Sequence, residues 1–161
     1  TVVVWVYRID GNDSSYHAMV SKRSGGNSEY NLYLQPSTGL AACYIKSSAV
    51  GSNLSTSGTI ADSTWVHLAT TISGNDGTLK FYINGSLDST QNILTGSSVT
   101  ETQPFAIGAI SGTGAEGFHG YLDQIGIWNR ALTATEISDI YNSGNGISEL
   151  TITEWKEKGT A

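Results

Sequence analysis

The chain has 161 residues, enough for one domain that buries a two-sheet core, and only 14% of them are charged. Fourteen acidic against eight basic residues give a formal charge of -6, and of the Lys and Arg only Lys22 and Arg23 are adjacent. Without a basic stripe there is nothing to hold a phosphate backbone, which excludes nucleic acid as a partner. No apolar run approaches the ~20 residues that span a bilayer, which excludes membrane insertion by a helix.

In chain order, Thr1 to Ile9 is apolar on both faces, with Val2, Val4 and Val6 opposite Val3, Trp5 and Tyr7. That pattern predicts a central strand covered on both sides. Tyr30 to Gln35 and Leu40 to Lys46 predict a hairpin across Pro36-Ser37-Thr38-Gly39. The second of these strands holds Cys43, the single cysteine, which can form no internal disulfide and reads as a buried structural thiol. Val50 to Thr64 is polar and is expected to be mostly loop with a weak strand, as is Asn92 to Gln103; Ser111 to Gly117 reads as a small-residue loop.

The most informative stretch runs from Trp65 to Gly85. Leu68, Thr70 and Ile72 share one face of a first strand, and Leu79, Phe81 and Ile83 share one face of a second. Asn75-Asp76-Gly77 separates them and Asn84-Gly85 closes the second, both turns that tolerate positive φ between twisted strands. One helix is predicted, from about Thr133 to Asn142: Thr133 and Glu136 form a capping box, and Ile137, Ile140 and Tyr141 fall on one stripe. Gly144 is placed to end it, and the helix is expected against the edge or end of the domain.

These segments carry a family resemblance. Trp65-Val66-His67-Leu68-Ala69, followed by the strand ending Asn84-Gly85, resembles the W-x-H-x-A and L-x-x-Y-x-N-G strands of laminin-G-like jelly rolls in the concanavalin A-like lectin/glucanase superfamily. Phe105 to Gly108, Phe118 to Ile125 and Asn129-Arg130-Ala131-Leu132-Thr133 resemble its later motifs in the same order, and Val3 to Val6 and Val20 to Lys22 its early strands. The resemblance implies an all-β, two-sheet antiparallel β-sandwich over residues 1–146, with one short C-terminal helix, and a strand-like extension over 147–161. Members usually begin with a strand or two ahead of the one that Thr1 to Ile9 resembles. With no initiator Met and no signal peptide, the chain is therefore expected to be a fragment or processed product lacking its first strand or strands. Ile147 to Trp155, or another chain, is expected to complete the open sheet edge.

Catalytic patterns are absent from the sequence. Gly112 to Gly117 spells G-x-G-x-x-G without a strand-to-helix turn, and His17, His67 and His119 are isolated. The β-glucanases of the same superfamily carry E-x-D-x-x-E on one strand, and no Glu-x-Asp occurs here. A non-catalytic recognition module is the expectation. Sugars stack on aromatic rings and exchange hydrogen bonds with amides and hydroxyls, which singles out Tyr33, Tyr44, Trp65, His67, Tyr82 and Gln124, on the faces opposite the apolar ones. Asn31, Gln35, Lys46, Lys80 and Asn84 share those faces; the loop tips 10–15, 24–29 and 111–116 are a second candidate region.

The resemblance further implies a structural calcium at Asp123, joined by carbonyls of the first strands. Glycan is the expected ligand. The competing expectation is a structural or adhesive protein-protein domain of a surface, fibre or virus-like particle protein. Either role suits an extracellular or particle-surface location, as do three N-x-S/T sequons beginning at Asn12, Asn53 and Asn84.

Overall fold

The computed structural model describes residues 1–9, 14–24, 27–46, 51–73, 77–93, 104–110 and 116–147. The strands are β1 (Val2–Arg8), β2 (His17–Ser24), β3 (Asn27–Leu34), β4 (Leu40–Lys46), β5 (Gly51–Thr59), β6 (Trp65–Ser73), β7 (Thr78–Ile83), β8 (Ser86–Asn92), β9 (Ala106–Ile107) and β10 (Gly120–Ile127). Among the described residues they form two antiparallel five-stranded sheets, β10-β1-β6-β7-β8 and β5-β4-β3-β2-β9. Helix α1 (Ala134–Tyr141) and a 3-10 turn (Asn142–Gly144) follow.

Alternation decides which residues meet between the sheets. Val2, Val4 and Val6 from β1, Leu68 from β6, and Leu79 and Phe81 from β7 face Met19, Leu32, Leu34 and Cys43 of the other sheet. The predicted inward faces of the Trp65 to Gly85 hairpin are the observed ones. β1 lies between β10 and β6 and its opposite face is covered as well, so five consecutive residues from Val2 to Val6 are buried. Cys43 is a free thiol inside this core, and burial pushes its pKa up to about 12, leaving it without thiolate character.

Three expectations need correction. Val50 to Thr64 holds the nine-residue strand β5 rather than mostly loop. As an edge strand it is held by its ladder to β4, which requires no apolar alternation. Thr56 Oγ1 accepts from Ala41 N–H at 3.1 Å, and the Asp88 carboxylate on β8 accepts from Ser57 and Gly58 N–H at 2.7 and 2.8 Å, tying this edge to the opposite sheet. The second correction is the helix stop, which is Asn142 in a left-handed conformation, two residues ahead of Gly144. Third, the helix packs on the outer face of the β10-β1-β6-β7-β8 sheet rather than at an edge. Leu132 and Ile137 meet Val3, Ala69 and Tyr82 there, because these strands present apolar side chains on both faces.

The helix entry is strongly specified. Thr133 Oγ1 accepts from Glu136 N–H at 3.2 Å and the Glu136 carboxylate accepts from Thr133 N–H at 2.8 Å, completing the predicted capping box. Arg130 adds two bonds to the same carboxylate and, with Thr133, holds the Glu136 pKa down at about 2. Thr1 Oγ1 donates to Arg130 O and accepts from Leu132 N–H, which fixes the segment before the cap to the start of β1. The segment 148–161 and the centre of the Asn75-Asp76-Gly77 turn lie outside the described residues.

Phe81 is fully buried at the centre of the inter-sheet core. Replacing Phe81 by Ala should lower the unfolding free energy by roughly 3 to 5 kcal/mol, measured by chemical denaturation. Unchanged stability in a folded variant would contradict the assigned inward face.

Candidate functional site

The outer face of the helix-bearing sheet divides into a covered and an open part. On the covered part Tyr141 of α1 stacks on Trp5 at 5.8 Å with an interplanar angle of 27°, and lies 5.7 Å from His67. Trp5 meets His67 edge-on at 5.3 Å. The Asn84-Gly85 turn makes this approach possible. Both residues have positive φ, 49° and 74°, as a tight hairpin turn demands, and a Cβ on Gly85 would lie 2.8 Å from the Tyr141 ring. His67 is fully buried beneath the helix, neither of its ring nitrogens has a hydrogen-bond partner, and desolvation lowers its pKa to about 4.

One rung further along, the face opens. Tyr7 pairs in register with Trp65 of β6 on one side and Tyr121 of β10 on the other. The three rings form a cross-strand row with centroid spacings of 5.6 and 5.7 Å. Trp65 is 42% exposed and Tyr121 59%, the largest exposure of any bulky apolar side chain among the described residues.

Between this row and the 3-10 turn lies a cavity of about 190 Å³ lined by Trp5, Trp65, Asp123, Gln124, Gly144 and Asn145. A β-bulge shapes it: β10 gains one residue on β1 between the pairs Val3↔Gly126 and Trp5↔Asp123, and Gln124 takes a positive φ of 45°. Asp123 Oδ1 accepts from Gln124 N–H at 2.7 Å and Gln124 Oε1 accepts from Ile147 N–H at 2.9 Å. The Asn145 amide donates to Asn142 O at 3.0 Å. These bonds leave the second Asp123 oxygen, the Gln124 amide N–H and the Asn145 side-chain oxygen for a ligand. Amide donors together with carboxylate and amide acceptors beside an indole are a set that matches sugar hydroxyls, which both donate and accept.

The six candidate residues do not share one face. Trp65 and Gln124 line the cavity, together with Asp123. His67 and Tyr82 lie on the same sheet but are buried under α1. Tyr33 and Tyr44 are on the outer face of the other sheet, opposite the core residues Leu32 and Cys43; Tyr33 is nearly buried, with Tyr16 edge-on at 5.5 Å. Tyr7, Tyr121, Trp5 and Asn145 belong to the site and were not singled out by sequence. Alternation does put Tyr121 on the face of Asp123, and Tyr7 on that of Trp5, but only the strand register joins those faces. Of the loop-tip candidates, 10–13, 25–26 and 111–115 lie outside the described residues. Ser15 and Glu116 line a separate open cavity of about 490 Å³ with Tyr16, His17, Gly117 and His119.

Asp123 is the residue to which the family resemblance assigns a structural calcium. Among the described residues no three His, Cys, Asp or Glu side chains converge on a metal position, and one Asp123 oxygen is already engaged. A hard cation seeks six to eight oxygen ligands.

Comparison with known proteins places this geometry. Residues 1–138 match the family described as the Concanavalin A-like lectin/glucanases superfamily. The chain belongs to that superfamily. No curated protein sequence matches it. Among solved structures it is similar to a native heptameric SAP-like pentraxin from Limulus polyphemus, with TM-score 0.66 and 23% identity over 92% of this chain and 72% of that one. It is also similar to the Ruminococcus gnavus IT-sialidase CBM40 bound to alpha2,3 sialyllactose, with TM-score 0.70 and 17% identity over 87% and 81% of the two chains. The receptor binding domain of botulinum neurotoxin mosaic serotype C/D gives TM-score 0.67 and 16% identity over 88% of this chain and 35% of that one. At these identities the likeness is one of fold. Among the described residues no helix is long and apolar enough to cross a membrane.

The superfamily's strand histidine here serves the helix interface, with a consequence for pH. The unfolded chain protonates His67 as pH falls through about 6.5, whereas the folded chain does so only near pH 4. Its contribution is therefore intact above pH 6.5 and declines between those values by roughly 3 kcal/mol in all. Replacing His67 by Leu should flatten stability against pH in that window, measured by denaturant midpoints. Glu136 loses its own contribution as pH falls from about 4.5 toward 2, below most of that window and equally in both proteins. Equal slopes in the two proteins would contradict the buried, neutral imidazole.

Proposed function

We propose that this domain is a non-catalytic recognition module that binds a glycan on the open part of the helix-bearing sheet. The observation that carries the reading is the exposed row Trp65, Tyr7 and Tyr121 beside a polar cavity built by the β10 bulge. The apolar face of a pyranose ring stacks on an aromatic plane while its hydroxyls need directional partners, and both are supplied within one surface. The sialyllactose-bound and receptor-binding structural neighbours support a recognition role, as does membership of a superfamily that includes lectins. Retaining glycosidases hold two carboxyl groups about 5 to 5.5 Å apart. The cavity offers one carboxylate, Asp123, which suits holding a sugar rather than cleaving it. Such a module belongs at a cell or particle surface or in secreted material, where glycans are displayed.

A protein partner is the second reading, and it uses a different region. Ile107 on β9 and Ile127 on β10 are 53% and 50% exposed at the edge of each sheet, the arrangement that favours strand addition.

A glycan array with the wild-type protein and the variants Trp65→Ala and Tyr121→Ala, with and without calcium, tests the proposal. Wild type should bind, and each variant should lose affinity by about tenfold, corresponding to roughly 1.4 kcal/mol, while remaining folded by circular dichroism. Absence of any glycan binding by the wild type, or full binding by both variants, would overturn the reading.

A further inference from the structure

We infer that the site selects a single, neutral, extended polysaccharide chain, engaged along internal residues rather than at a terminal sugar; the inference rests on the glycan reading above. Three features of the row lead to it. The first is length. Trp65, Tyr7 and Tyr121 sit on three adjacent strands at 5.6 and 5.7 Å intervals, close to the step from one pyranose ring to the next in an extended chain. Exposure is greatest at the two ends, so a chain can pass over the row and continue beyond it at either side. A terminal sugar is better held by a closed pocket with many directional contacts than by an open ladder.

The second feature is tilt. Trp65 is inclined to Tyr7 by 59° and Tyr121 to Tyr7 by 50°. Neither outer ring shares a plane with Tyr7, so a flat crystalline face resting on Tyr7 cannot at the same time lie on its neighbours. A single chain in solution can turn about each glycosidic linkage and lay successive rings on successive side chains. The twist of the sheet, which rotates each strand against its neighbour, has the same effect on a ladder that crosses strands.

Charge is the third. Asp123 is the sole ionisable group among the residues that line the cavity, and neither the cavity nor the row includes Lys or Arg. Arg8 follows Tyr7 in sequence, but it is buried and paired with Asp62. With a net charge of -6 behind it, this surface repels a sialic or uronic acid and accepts neutral sugars.

Isothermal titration with neutral β-linked gluco-, xylo- and manno-oligosaccharides from disaccharide to hexasaccharide tests this, alongside sialyllactose and pull-down on microcrystalline cellulose. At least one neutral series should gain affinity by about tenfold or more between the disaccharide and the tetrasaccharide and then level off. Tyr121→Ala should reduce the longer ligand to the affinity of the shorter one. Sialyllactose and crystalline cellulose should not be retained. Affinity independent of length, or a preference for sialyllactose or the crystalline surface, would overturn the inference while leaving glycan recognition standing. Failure to bind any sugar, here and on the array, would overturn both.

Discussion

Tyr141 lies on Trp5 and against His67, and the organisation of the outer sheet face follows from that contact. Its position is fixed from both directions. The capping box at Thr133 and the Thr1 bonds to Arg130 and Leu132 set where the helix begins, and Leu132 and Ile137 set its depth on Val3, Ala69 and Tyr82. From the sheet side, Gly85 leaves the space a Cβ would occupy. The helix thus covers the rungs of Val3 and Trp5 and stops short of Tyr7. The boundary between buried and exposed aromatics on β1 is therefore a consequence of helix length and docking.

The same contact costs the molecule unsatisfied polar atoms. Both His67 ring nitrogens and Trp5 Nε1 are buried without partners, which is tolerable for a neutral imidazole packed between aromatic rings and costly for a charged one. Beyond Trp5 the face turns polar within a few ångströms, because the β10 bulge places Asp123 and Gln124 at the cavity and Gln124 in turn holds Ile147 after the 3-10 turn. Gly146 allows this, since a Cβ there would lie 2.4 Å from Gln124 Oε1. Helix terminus, bulge and aromatic row are one connected arrangement.

Much of the fold was legible in the sequence. Period-two alternation in Trp65 to Gly85 gave the correct inward face, the doubly apolar Val2 to Val6 marked a strand covered on both sides, and the capping box marked the helix start. β5 was not legible as a full strand, since an edge strand of Ser, Thr and Gly carries no hydrophobic period and is recognisable only from its partner β4. The helix position was misjudged because Val3, Ala69 and Tyr82 belong to three different strands, and their common patch exists only once register is set. The site suffered from the same limit. Trp65 and Gln124, read as ligand candidates, and Asp123, read as a calcium ligand, meet at one cavity, whereas Tyr33 and Tyr44, grouped with the first two, face away on the other sheet. Tyr7 and Tyr121 are not among the candidates because alternation names a face without saying which faces are adjacent.

Recognition by this domain is decided by where a sugar touches the protein. Backbone amide and indole N–H chemical shifts recorded by NMR during titration with a neutral oligosaccharide that binds would locate that contact directly. The largest changes should fall on the Trp65 indole and on the backbone of Tyr7, Tyr121, Asp123 and Gln124, with Tyr33 and Tyr44 unmoved. Changes concentrated on Asn31, Tyr33 and Tyr44, with Trp65 unaffected, would place the ligand on the opposite sheet and contradict the proposed site.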